Sequence, residues 1–372
     1  MTERWRRLLS LLAILVVIGA AIYYLDSHKP GGMGPTTVTE LRPDNMPTEE
    51  KSQKLVKAKE LVNPAGFINT DSLQLQDLVG KQIILVDFWT YSCINCQRTL
   101  PYLNAWQEKY GDQGLTIVGV HTPEFAFEQL RENVQAAVNK YQIKYPVVLD
   151  NEYATWKAYG NRYWPRKYLI DLDGYIVYDH IGEGAYEETE QQIQMLLQER
   201  ARRLETHQSI PPELAGPQPG ARTAAEIGSP EVYFGSRRNE LLSNGTPFQN
   251  GPQDLSAPTE TPLNQLFLLG QWDIQPEYAS AAAPATIKFR YRAREVYLVA
   301  SATAPVTVQV LRDGQPAGDV GGEDVTQRGS DSVVTIQEDR LYKLIEDADG
   351  GEHTLELKIE SPGFKAYTFT FG

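Results

Sequence analysis

The sequence predicts an α/β domain followed by an all-β sandwich, both carried behind an N-terminal membrane-spanning helix. Three observations predict it. Apolar runs of strand length alternate with helix-periodic segments over residues 63–203. From residue 222 to 372 the period switches to two, with turn signals between short runs. Near the start, Leu8 to Leu25 is an apolar run broken only by Ser10 and Gly19, behind Arg4, Arg6 and Arg7.

That run is near the lower length limit for crossing a bilayer as a helix. The arginines hold the N-terminus in the cytoplasm, so everything after the run is exported. Tyr23 and Tyr24 then sit at the far interface. The competing reading is a cleaved leader with an apolar stretch Leu8 to Ile18 and cleavage at Gly19-Ala20-Ala21. The apolar run continues past that site, which favours an uncleaved anchor over residues 1–25. Residues 26–62 read as a tether rich in Gly and Pro, with a short helix over Thr48 to Val62 capped by Thr48. The net charge of −13 and the lack of a Lys/Arg cluster among aromatics exclude a nucleic-acid partner.

Within 63–203, Phe67 to Leu78 alternates like a small hairpin, and Ile83 to Val86 is a buried strand. Leu100, Leu103, Trp106 and Tyr110 share one face of the helix that follows. Leu115 to Val120 is a second strand, Glu124 to Lys140 a helix, Tyr145 to Leu149 a strand and Asn151 to Tyr159 a short helix. Lys167 to Asp171 and Tyr175 to Asp179 form a hairpin across Asp173-Gly174, and Tyr186 to Arg203 closes with a helix.

Between the first strand and its helix lie Cys93 and Cys96, the two cysteines of the chain. A helix N-terminus favours a thiolate, so a Cys-x-x-Cys there points to redox chemistry. A structural disulfide of this spacing closes too small a loop to remove much chain entropy. Zinc needs about four ligands, and His28, His121, His180, His207 and His353 are scattered. Thr90-x-x-Cys93 superficially matches a peroxidase motif, but Val86 stands where that motif places proline. His121 follows a strand end on the edge where such sites form, either near the reaction or as a satisfied structural histidine. Asp87 is expected to be buried on the strand beneath the pair, where burial raises a carboxyl pKa.

Asp87-Phe88-Trp89, Cys93-x-x-Cys96 and Pro101 resemble thioredoxin. The longer string from Phe88 to Leu103 is similar to the periplasmic TlpA-like thioredoxins, and most closely to the soluble C-terminal part of DipZ-type proteins. This resemblance implies a thioredoxin-like domain in which Pro165 is cis, follows Trp164 and packs beside the cysteines. It also implies that Asp87 accepts the proton of Cys96. Thr99 departs from the pattern, since many TlpA-like proteins carry glutamate there. Gly182-Glu183-Gly184 matches a family signature without a role that the sequence reveals. The candidate site is Cys93, Cys96, Asp87, Pro165, Trp89 and Trp164, with Cys93 attacking a substrate disulfide and Cys96 resolving it. No cofactor is expected beyond a redox-active disulfide between Cys93 and Cys96. Ile94 and Asn95 carry no charge, which leaves the helix and Arg98 to stabilise a thiolate and favours a reductase or isomerase over an oxidase.

Residues 204–221 read as a linker, with Ile210-Pro211-Pro212 and Gly216 to Gly220. In residues 222–372, Val306, Val308 and Val310, then Leu355, Leu357 and Ile359, alternate with polar residues. DipZ-type proteins carry a carbohydrate-binding-module-like, jelly-roll sandwich in this place, and the ending Ala366 to Gly372 resembles theirs. Trp272, Tyr278 and Tyr342 are the candidates for a sugar-binding face, the alternative being core packing. The sandwich is otherwise expected to dock on the first domain or to present a substrate protein.

The functional expectation is an anchored, extracytoplasmic thiol–disulfide oxidoreductase that reduces exported disulfide-containing proteins. A DipZ-type membrane electron-transfer domain is absent from the sequence, so a separate membrane donor is expected, of the CcdA type. The second reading is a cell-envelope module that binds a glycan or protein, with the cysteines as a structural disulfide.

Overall fold

The computed structural model describes residues 48–206, 208–216, 228–282 and 284–372, all within one unit, Met46–Gly372. The expected anchor, most of the tether, residues 217–227, His28 and His207 lie outside the described residues. Among the described residues no helix is long and apolar enough to cross a membrane.

The first domain runs α1 (Thr48–Lys54), β1 (Val56–Lys57), β2 (Gly66–Ile68), α2 (Leu75–Leu78), β3 (Ile83–Trp89), α3 (Ile94–Tyr110), β4 (Leu115–His121), α4 (Arg131–Lys140), β5 (Val147–Leu149), α5 (Ala154–Ala158), β6 (Arg166–Ile170), β7 (Tyr175–Ile181) and α6 (Tyr186–Arg203). Its sheet has the order β1-β7-β6-β3-β4-β5-β2. β3 is central and buried along its whole length, as a strand apolar on both faces must be. Its alternation decides the site. Ile83, Leu85 and Trp89 face the core beneath α3, α4 and α6, while Ile84, Val86 and Phe88 face α5 and the α2 side. Asp87 shares parity with the first set and therefore points toward α3.

Three elements depart from the sequence expectation. The helix expected over Glu124 to Lys140 is split into a 3-10 turn, Ala126–Gln129, and α4, with extended Leu130 between. Glu128 caps the start of the turn, its carboxylate accepting the N–H groups of Glu124 and Phe125, and extended Leu130 then begins a second helix. The expected hairpin from Phe67 is absent: β2 pairs with β5, and α2 is one turn whose first N–H groups, at Leu75 and Gln76, donate to Glu60. The helix expected to reach Val62 stops at Lys54, because Val56 and Lys57 pair with the open edge of β7. The stretch from 48 onward is thus packed on the domain. So is 208–216, read as linker: Ile210 is buried, and Gln194 Nε2 donates to the Pro211 carbonyl at 3.1 Å.

The second domain holds β8 (Val232–Tyr233), β9 (Gly251–Leu255), β10 (Leu266–Ile274), β11 (Ala279–Ala281), β12 (Ala285–Arg292), β13 (Glu295–Ala302), β14 (Val306–Arg312), β15 (Gln315–Pro316), β16 (Val325–Arg328), β17 (Asp331–Ile336), β18 (Arg340–Glu346), β19 (Glu352–Ile359) and β20 (Phe364–Phe371). The expectation of a sandwich needs one refinement, since a single strand joins its two faces. Leu266 to Leu269 pair with β12, and Gly270 to Ile274 pair with β9 while the end of the strand also pairs with β11. Gly270 makes that bend, with φ at +91°, and a Cβ there would lie 2.8 Å from the Pro284 carbonyl. The two faces share one core, which includes Phe289, Leu357, Leu298 and Phe369.

Two of the three sugar-face candidates, Trp272 and Tyr342, are core residues instead. Both are buried in that core, with Trp272 Nε1 donating to the Leu269 carbonyl and the Tyr342 hydroxyl donating to Glu338. Tyr278 is half-buried against Tyr367. Aromatic rings supply large apolar area and are spent on the core.

The two domains share a joint built around α3 and the 123–130 loop. Arg98 donates to Glu295 at 2.8 Å, and Lys343 also donates to Glu295, at 2.6 Å. The Tyr91 hydroxyl donates to the Asp339 carbonyl at 3.0 Å. Phe125 and Phe127 pack on Tyr367 with ring centroids 5.1 and 4.8 Å apart.

Candidate active site

Cys93 is the N-cap of α3. Its backbone is extended, with φ at −78° and ψ at 118°, and its Sγ accepts the Cys96 N–H at 3.3 Å. The sulfur therefore takes the place of a capping oxygen, against free N–H groups and the positive end of the helix dipole. Cys93 is half-buried, whereas Cys96 is 1% exposed. Burial pushes the Cys96 thiol up, and the hydrogen bond with Cys93 adds to that.

Asp87 is buried on β3 below this pair, and its Oδ1 has no hydrogen-bond partner among the described residues. Burial pushes its carboxyl up to about 7, opposed by the charge of Lys167. Lys167 stands opposite Asp87 in the β3–β6 ladder and is itself fully buried. Its Nζ donates to the Gly182 carbonyl at 3.3 Å, and burial lowers its pKa. The Gly182 N–H in turn donates to the Pro165 carbonyl at 2.8 Å. The Gly-Glu-Gly motif thus supports the proline loop, and its Glu183 accepts from Arg98 at 3.3 Å.

The Trp164–Pro165 peptide is cis. β6 begins at Arg166, paired with Phe88, so the proline lies beside the end of β3 from which the Cys93 loop departs. Trp164 Nε1 donates to the Thr122 carbonyl at 3.1 Å, and the ring packs on Trp156. Trp89 is fully buried under the loop, edge-on to His121. His121 is buried too, and burial pushes its pKa down to about 3, so it stays neutral. Its Nε2 lies 3.4 Å from the Thr90 hydroxyl. Arg98, read as a local thiolate stabiliser, is committed to Glu183 and Glu295 instead. Thr99 is buried and donates to the Asn95 carbonyl, so no carboxylate occupies that place. Among the described residues no group of three or more His, Cys, Asp or Glu side chains could hold a metal ion.

Two family models match the chain: Redoxin over residues 66–196, and Thioredoxin like C-terminal domain over residues 229–372. Over 325 residues the chain is 35% identical to Protein DipZ of Mycobacterium tuberculosis, covering 85% of this chain and 43% of DipZ. Over 142 residues it is 33% identical to the thiol-disulfide oxidoreductase ResA of Bacillus anthracis, covering 37% of this chain and 77% of ResA. The chain belongs to the thioredoxin-like thiol-disulfide oxidoreductases. It spans less than half of the length of DipZ, at 43%. A solved thiol:disulfide interchange protein of the thioredoxin family from Chlorobium tepidum is 19% identical, with 39% of this chain and 97% of that chain covered and a TM-score of 0.34.

Two residues of this thioredoxin-like oxidoreductase escaped sequence reasoning. Lys167 was legible only as a lysine opening an apolar strand, a position that must bury or snorkel its charge. Glu128 was read only as part of the helix expected over Glu124 to Lys140, yet it is fully buried and accepts from the Ser92 hydroxyl at 2.6 Å. Two phenylalanines shortly before it, Phe125 and Phe127, were the available signal.

Proposed function

We propose that this chain reduces disulfide bonds of exported proteins by dithiol–disulfide exchange. The observation that supports this reading best is the division between the two thiols. One is half-exposed at a helix N-terminus, and the other is buried above a carboxyl whose Oδ1 has no hydrogen-bond partner among the described residues. The Cys93 thiolate attacks one sulfur of a substrate disulfide, and the other sulfur leaves as a thiolate. Cys96 then gives its proton to Asp87 and attacks Cys93 Sγ, which releases the second substrate sulfur. The pair ends as a Cys93–Cys96 disulfide, and two electrons have passed to the substrate. Lys167 balances the charge that Asp87 carries before it takes the proton. The cis-proline loop, with Trp164 and Pro165, offers backbone against which an extended substrate segment lies. Residues 1–25 hold the protein at the membrane, and a membrane electron donor of the CcdA type reduces the disulfide again.

The test is the reduction potential of the pair, from equilibration of the chain with glutathione and dithiothreitol buffers. A value near about −270 mV supports a reductase, and one near about −120 mV overturns the direction. A pair that exchanges with neither buffer overturns the enzyme reading.

Asp87→Asn is expected to slow resolution of the mixed disulfide by about 10²-fold at pH 8, the usual scale for a lost proton acceptor. In the parent the rate should rise through about pH 7, because the carboxyl accepts a proton only once ionised. Stopped-flow following of mixed-disulfide decay against pH checks this. An unchanged pH profile in the variant assigns the proton elsewhere.

A further inference from the structure

We propose that Glu128 is a positioning residue for Cys93, and that through it the second domain holds the attacking sulfur in place. This rests on the reading of Cys93 as the attacking thiol.

A carboxylate removed from water costs several kcal/mol unless it is well paired. Glu128 is fully buried. Its Oε1 accepts the Ser92 hydroxyl at 2.6 Å and the Ser92 N–H at 3.3 Å. Its Oε2 accepts the Glu124 N–H at 2.5 Å and the Phe125 N–H at 3.0 Å. The two oxygens are thus divided between two segments. One segment ends at the residue directly before Cys93, and the other is the 124–125 turn. An ionised carboxylate is acceptor-only, with about four lone-pair sites, so a single side chain can hold both segments. Glutamine has acceptor sites on one oxygen alone and must turn its amide toward one of the segments.

The turn that Oε2 holds is also the turn that the second domain grips. The Ala126 N–H donates to Glu277 at 2.9 Å. Glu124 accepts from the Tyr233 hydroxyl at 2.9 Å and from Arg238 at 2.7 Å. Phe125 and Phe127 close on Tyr367. The neighbouring Tyr91 reaches the same domain directly, at Asp339. Tyr91 and Ser92 are therefore both tied to the second domain, the first by its own hydroxyl and the second through Glu128. Cys93 follows them immediately, and its Sγ meets the Cys96 N–H only if the backbone at 92–93 keeps its course. A displacement of about 1 Å at a reacting group can cost about 10²-fold in rate. Holding that backbone is a sufficient reason to retain a buried carboxylate.

The test compares Glu128→Gln, Ser92→Ala and the double variant in the full chain. Four quantities are read: kcat and KM with glutathione disulfide, the alkylation rate of reduced Cys93 by iodoacetamide, and the thermal midpoint. Each single variant should lower kcat and the alkylation rate about tenfold with KM within about twofold, because the sulfur is misplaced while the substrate surface is intact. The double variant should be no slower than either single one, since both remove one clamp. Tyr367→Leu should slow alkylation in the parent but not on top of Glu128→Gln. Additive losses, or a lower thermal midpoint with unchanged alkylation, would overturn the proposal. Should Glu128→Gln fail to fold, Ser92→Ala carries the same test. A chain that reduces no disulfide, yet loses alkylation rate in these variants, keeps the clamp and loses the functional reading.

Discussion

Cys93→Ser is expected to abolish disulfide reduction, whereas Cys96→Ser is expected to stop the reaction after its first step. The two thiols are equivalent in sequence but not in place. Cys93 is half-buried at the mouth of the helix, and Cys96 is 1% exposed beneath it. A buried thiol whose pKa burial pushes up, with no solvent path, cannot meet a substrate disulfide. Serine at 93 therefore removes the one nucleophile within reach, and turnover should fall by at least about 10³-fold. Serine at 96 leaves the attack intact and removes the exit. The chain should then accumulate as a covalent mixed disulfide with its substrate, visible as an added mass that dithiothreitol removes. The pair of variants is more informative than either alone. Trapping at Cys93 in Cys96→Ser, with none in Cys93→Ser, fixes the order of attack. Equal trapping by both variants would show that Cys96 also reaches the substrate and would overturn the assignment.

What the sequence conveyed follows a physical divide between local and non-local determinants. β3, α3, β4 and α6 announce themselves because their burial comes from their own periodicity. Ile83 to Trp89 is apolar on both faces, and the α3 stripe of Leu100, Leu103, Trp106 and Tyr110 is buried throughout. The cysteines and Asp87 were legible for the same reason, since the parity of β3 places Asp87 on the face toward α3. The elements that differ were decided by partners distant in sequence. Glu60 closes α2 from outside the segment. Lys167 reads as a strand residue until the β3–β6 register sets it opposite Asp87. β9 and β11 lack the apolar alternation that marked the other strands, and their pairing with β10 supplies what their composition does not. Trp272 and Tyr342 show the converse. An aromatic residue has the same letter in a binding face and in a core, and only burial separates the two.

Lys51→Met is expected to destabilise the chain by about 3–5 kcal/mol, the cost of leaving one half of a buried ion pair behind. Lys51 is 1% exposed, and its Nζ donates to Asp171 at 2.6 Å and to Asp173 at 2.8 Å. Asp171 is itself fully buried, so removing the lysine strands a carboxylate away from the solvent surface. Methionine matches the length of the lost stem, and the loss is thereby one of charge rather than of packing. Lys51→Met with Asp171→Asn should recover part of the stability, because the stranded charge is gone while the Oδ1 bonds from the Asp173 and Tyr175 N–H groups can persist. The pH dependence has a definite sign at each end. Burial works to lower Lys51, but the hydrogen bonds to Asp171 and Asp173 prevail and hold it above 10.5. Its contribution is present below 10.5 and is lost as pH rises through the higher native value. Arg203 first, and Lys51 with it, hold the Asp173 carboxyl at about 2 against an ordinary 3.8. That contribution is present above 3.8 and is lost as pH falls through about 2. The gap between parent and variant in urea unfolding should therefore be widest from about pH 4 to about pH 10 and narrow beyond both limits. A gap below about 1 kcal/mol at pH 7 would mean that water reaches Asp171 after all. The turn that carries Asp171 and Asp173 follows β6 at the end where Ile170 pairs with Ile84, and the Cys93 loop leaves the other end of β3. Disulfide reduction per folded molecule should consequently be unchanged in Lys51→Met, which separates this loss of stability from every loss of rate expected at Cys93, Asp87 and Glu128.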